Sequence, residues 1–155
     1  MFAFDGVAHP PPPRDGRKSH PADLCMAQIA TTNLGKNNGT PLLVEHDRGA
    51  PPVGKVLASW EGRNGELRVT GVVDDQDSQQ KIMSGSLQGL SLGTGILLGG
   101  GANGSRPLAF EHEELSLCHT PARVGCYIDK VNGRTIRSSA QFSNAAAGSA
   151  TSALR

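Results

Sequence analysis

Apolar and polar positions alternate along most of the chain, and helical spacing is confined to two stretches. MFAFDGVAH (1–9) alternates in part and predicts a first strand. The proline run at 10–13 must end it, because proline donates no ladder hydrogen bond. SHPADLCMAQIATTNLG (19–35) places Ser19 to cap, Pro21 in the first turn, and Leu24 and Ile29 on one face before Gly35, which predicts a helix. PLLVEHD (41–47), PPVGKVLASWEG (51–62) and ELRVTGVVDD (66–75) predict three strands, the last two a hairpin turned through Gly62 to Gly65. Aspartates followed by a glycine stop predict a short helix from about Asp75 to Met83. SLQGLSLGTGILL (86–98) and PLAFEHEELSLCHT (107–120) predict strands on either side of a glycine-rich loop at 99–105. VGCYIDKV (124–131) predicts a last strand, after a turn at Pro121.

The pattern amounts to six or seven strands and two helices, with no internal repeat. The segment 135–155, rich in serine and alanine and almost without large apolar residues, reads as a linker or marginal helix outside the core. The expected division is a barrel domain over 1–134 and a tail over 135–155. Composition agrees: 20 glycines, 10 prolines and only 4% aromatic residues in 155 suit short strands and tight turns. The expected class is all-β with a few peripheral helices.

A formal charge of +1 gives no basic face for nucleic acid. No apolar run approaches the ~20 residues of a membrane span, and no export signal is visible. Three cysteines, Cys25, Cys118 and Cys126, include no CxxC pair and suit free thiols in a reducing compartment. Gly99 to Gly101 precede no GK[ST], and HEELS lacks the second histidine of a zinc helix, so neither a cofactor nor a metal is expected.

Three stretches could carry chemistry. In SGSLQGLSLGTG (84–95), Leu90 and Leu92 point into a core while Ser91 points the other way, between glycines that leave room around its hydroxyl. His46 ends an apolar strand in LLVEHDRG, where an imidazole suits a general base. In EHEELSLCHTPARVG, alternation puts His112, Glu114 and Ser116 on one face, and only one of His112 and Glu114 can orient a given imidazole ring. Taken singly, the first stretch reads better as a strand with a polar outer face, the second as a partly exposed turn residue, and the third equally as a solvated strand face. Together they supply a hydroxyl, a base and an orienting group from three strands, the set that nucleophilic acyl transfer requires.

PLLVEHD followed by VGKV, then SGSLQGLSLGTG, then ELSLCHTPARVGCYI, resembles in order and content the capsid maturation proteases: the herpesvirus assemblins and the prohead proteases of tailed phages. The resemblance runs from about Pro41 to Ile128. It implies a mixed barrel of roughly seven strands and a serine endopeptidase with Ser91 as nucleophile and His46 as base. Ungapped alignment of Leu117-Cys118 and Gly125 makes Glu114 the third member, and a two-residue shift would choose His112. The same register puts Ala122 and Arg123 at the oxyanion hole. The implied role is cleavage of internal scaffold, and of the enzyme from its own precursor, inside a viral procapsid in the host nucleus or cytoplasm. The implied partners are a scaffolding protein, the major capsid protein precursor and a second copy in a homodimer. A non-catalytic capsid-associated barrel module is the alternative.

Overall fold

The alternating stretches become the strands of one curled, mixed sheet in the computed structural model, which describes residues 1–11, 39–100 and 106–137. The helix expected at 19–35, Cys25, residues 101–105 and the tail from 138 onward lie outside the described residues. The strands are β1 (Phe2–His9), β2 (Thr40–Val44), β3 (Gly54–Glu61), β4 (Leu67–Val73), β5 (Gly89–Gly100), β6 (Arg106–Cys118), β7 (Ile128–Val131) and β8 (Arg134–Thr135). Helix α1 (Gln76–Ser84) links β4 to β5. The sheet order is β5-β6-β2-β3-β4-β1-β7-β8. Every pairing is antiparallel except β2 with β6, which is parallel.

The sheet curls until its two sides meet. Leu90 N–H donates to Cys126 O and Ile128 N–H to Gln88 O, both at 2.9 Å, so the chain entering β7 pairs with the chain entering β5. The inner face carries Phe4, Leu42, Val56, Val69, Leu90, Leu92, Leu115, Leu117 and Ile128 in one cluster. Fully burying such a side chain contributes about 1.5–3 kcal/mol. Leu90, Leu92, Leu115 and Leu117 therefore fix which way β5 and β6 face, and Ser91, Glu114 and Ser116 fall on the opposite side.

The eighth strand was not in the expected set. Two residues are too short for a hydrophobic period, but β7 and β8 are joined by Asn132-Gly133, both at positive φ (50° and 80°). That is the asparagine-glycine pair a two-residue hairpin favours. Thr135 pairs with Lys130, and Ile136 packs against the core, so the sheet reaches the first residues of the segment read as tail. Gly99 and Gly100, read as loop, extend β5.

Candidate active site

The parallel pairing of β2 with β6 builds the site. Leu42, Leu43 and Val44 lie beside Leu115, Ser116 and Leu117, so the chain leaving β2 emerges over the outer face of β6. There it turns sharply. Glu45 and His46 both take left-handed conformations (φ 51° and 56°), which non-glycine residues adopt rarely and at a cost of order 1–3 kcal/mol each. Hydrogen bonds hold the turn. Glu45 N–H donates to Leu117 O (2.9 Å), Asp47 N–H to Val44 O (3.0 Å), and His46 N–H to Ser116 Oγ (3.0 Å). The Glu45 carboxylate accepts from His119 N–H at 2.7 Å. The result aims the imidazole back at β5 and β6.

His46 lies between two partners. Its Nδ1 is 2.5 Å from Glu114 Oε1 and its Nε2 is 2.9 Å from Ser91 Oγ. With the ring proton on Nδ1, donated to the carboxylate, Nε2 is free to accept from the serine hydroxyl. Ser91 and Glu114 are 8% and 3% exposed, while the His46 side chain is 42% exposed. The carboxylate and hydroxyl are thus held within the protein and the imidazole stands at its surface. The second carboxylate oxygen, Oε2, accepts from Ser116 Oγ at 2.8 Å.

The glycines around Ser91 have distinct roles. Gly93 pairs with Glu114 across β5 and β6, and a Cβ on Gly93 would overlap the carboxyl group itself. The missing side chain is the space that the carboxylate occupies. A Cβ on Gly89 would lie 2.8 Å from Pro121 Cδ and 3.0 Å from Cys118 Sγ. Its absence lets the turn after β6 dock against the start of β5, and Ala122 and Arg123 sit in that turn, Ala122 exposed and Arg123 half-buried.

The structure therefore brings Ser91, His46 and Glu114 into one hydrogen-bonded chain. His112 pairs with Thr94 in the backbone register, and a bulge at Glu113 separates that pair from Gly93 and Glu114. The side chain of His112 lies outside what the structure describes. Cys118 is buried, and burial, with the Glu45 carboxylate adding, pushes its thiol up to about 12, which leaves it protonated and unreactive. His119 directs Nδ1 at Ser86 O (3.2 Å). Sequence reasoning placed Ser116 on the correct face but gave it no role, and it found neither the Glu45 staple nor the purpose of Gly93. All three depend on which strands become neighbours, which alternation alone does not reveal.

The sequence matches no protein-family model and no curated protein. The fold does match solved structures, among them the protease of Kaposi's sarcoma-associated herpesvirus. Its complex with a hexapeptide phosphonate inhibitor gives a TM-score of 0.52 at 16% identity, over 83% of this chain and 64% of that one. A complex with an allosteric inhibitor gives 0.54 at 15% identity, over 97% and 91%. One with a dimer disruptor gives 0.52 at 15% identity, over 94% and 87%. The chain spans just under two thirds of the first of these chains. At such identities the agreement is one of architecture: this chain has the fold of a herpesvirus protease.

Proposed function

We propose that the chain is a serine endopeptidase of viral capsid maturation. The observation that carries the reading is the continuous chain Ser91 Oγ, His46, Glu114, with hydrogen bonds of 2.9 and 2.5 Å. Ser91 Oγ attacks a peptide carbonyl carbon as His46 Nε2 takes the hydroxyl proton, and Glu114 stabilises the imidazolium that forms. The carbonyl oxygen becomes an oxyanion, for which the backbone N–H groups of Ala122 and Arg123 are the proposed donors; one such donor contributes about 3–4 kcal/mol to catalysis. His46 returns the proton to the leaving amine, whose bond to carbon breaks to give an acyl-serine. Water, deprotonated by His46, then hydrolyses the ester and releases Ser91.

The fold shared with a herpesvirus protease supports a substrate found inside a procapsid, with a scaffolding protein and the major capsid protein precursor as partners. The stretch NAAAGSATSALR offers bonds between small residues, and we place a self-release site near Ala147 to Ser152. A homodimer belongs to the same reading, since the herpesvirus protease is bound by a dimer disruptor.

The test is to treat the chain with a peptidyl phosphonate and to incubate it with a peptide spanning the tail, comparing wild type with Ser91→Ala. The expected result is one adduct, on Ser91, and cleavage that Ser91→Ala abolishes while the fold persists. Wild type that neither labels nor cleaves, or Ser91→Ala that cleaves equally well, would leave a non-catalytic barrel module as the better description.

A further inference from the structure

We propose that Ser116 is a fourth, positioning member of the site: through one hydroxyl it fixes both the orientation of the Glu114 carboxylate and the backbone turn that carries His46. The inference rests on the peptidase reading above and extends it to a residue outside the reacting chain.

The geometry is specific. Ser116 is completely buried and stands between Glu114 and the β2 turn. Its Oγ donates to Glu114 Oε2 (2.8 Å) and accepts from His46 N–H (3.0 Å). A hydroxyl has one proton and two lone pairs, so it can serve both partners at once; an alanine can serve neither. Glutamate reaches the imidazole through more rotatable bonds than aspartate, and a carboxylate held at one oxygen remains free to rotate. The Ser116 bond to Oε2 removes that freedom. The bond to His46 N–H satisfies a donor at a left-handed residue whose conformation the surroundings must enforce. One side chain thereby sets the separation of ring and carboxylate from both ends. Cross-strand pairing with Ser91 places it directly opposite the nucleophile, and parallel pairing with Leu43 places it beside the strand that delivers His46.

The experiment compares wild type, Ser116→Ala, Ser116→Cys and Ser116→Thr in the full chain, each also in a Glu114→Ala background. Three quantities are read: kcat and KM on the tail peptide, the unfolding temperature, and the far-downfield proton resonance of the His46 Nδ1–H. Loss of alignment costs up to about a hundredfold in rate. Ser116→Ala is expected to lower kcat on that scale with KM nearly unchanged, and to shift or broaden the resonance. Ser116→Cys, which keeps the volume with a weaker donor, is expected to fall between, and Ser116→Thr to restore the resonance and most of kcat. In the Glu114→Ala background the Ser116 substitutions should have a clearly smaller effect on kcat, because the carboxylate they orient is gone and only the bond to the His46 turn remains.

Full kcat with an unmoved resonance in Ser116→Ala or Ser116→Cys would overturn the proposal and leave the peptidase reading intact. So would equal losses in both backgrounds that track the unfolding temperature. A resonance that shifts on Ser116→Ala, together with a wild type that cleaves nothing, would sustain the positioning role and remove the peptidase reading.

Discussion

At the scale of single residues, the site depends on what is absent as much as on what is present. Gly93 faces Glu114, and the carboxyl group fills the space where a Cβ would stand. In an ordinary strand, replacing glycine by alanine is stabilising by roughly 0.5–1 kcal/mol. Here Gly93→Ala must push the carboxylate off the imidazole. The expected outcome is a strong loss of kcat with no gain in unfolding temperature, checked by kinetics and calorimetry on one preparation. Glu114→Gln keeps the shape but removes the charge that stabilises the imidazolium, and its amide can present N–H to the ring and select the wrong tautomer. A loss of about 10³–10⁴ in kcat is expected, by analogy with the orienting carboxylate of other serine hydrolases. His112→Gln is expected to leave kcat close to wild type, since Nδ1 of His46 already meets Glu114. The reverse order in a parallel assay would move the orienting role to His112. The hydroxyl and the imidazole were legible in the sequence as residue types on separate strands, and the orienting group as either Glu114 or His112 on a third. The partners that hold them, Ser116 and Gly93, were not, because their meaning lies in cross-strand neighbours.

At the scale of elements, legibility followed locality. The helix expected from Asp75 is α1, with Asp75 as N-cap accepting from Ser78 N–H at 2.9 Å and Gly85 left-handed at the far end (φ 91°). Both signals sit within one turn of the helix termini and can be read from the chain directly. The β3–β4 hairpin, closed by Gly62 N–H to Glu66 O at 2.7 Å, was equally local. The parallel register of β2 on β6 was not, because it joins segments more than seventy residues apart. Hydrogen bonds from the Ser78 side chain, then from its backbone N–H, hold the Asp75 carboxyl below the usual carboxylate range. A group whose pKa is depressed on folding stabilises above its unfolded value, near 4, and loses that contribution as pH falls through the lower folded value. Asp75→Ala should therefore lower the unfolding temperature at neutral pH and by less in acid. A thermal melt series from pH 7 downward measures the difference, and an equal loss at every pH would mean the cap acts without its charge.

At the scale of the whole molecule, closure of the sheet couples the site to the far end of the chain. The residue before the nucleophile donates its N–H to Cys126, and that contact seals the seam between β5 and β7. Cys118 and Tyr127 lie on the same seam, bridged through Gly89. Burial is the leading cause that raises both of their pKa values, Cys118 to about 12. The consequence for stability has a definite sign. Between the ordinary thiol value of about 8.5 and the folded value, the unfolded chain gives up a proton that the folded chain keeps, so stability falls as pH rises through that window. Tyr127 acts in the same direction from its own higher starting point. Denaturant unfolding from pH 8 to 11 is expected to show a steadily falling midpoint, and Cys118→Ala should flatten the first part of the fall while leaving the tyrosine part. Because the seam borders Ser91, loss of cleavage on raising the pH should accompany this loosening. Cleavage that persists after the seam opens would mean that Ser91, His46 and Glu114 are held by β2, β5 and β6 alone, with closure of the sheet needed only for stability.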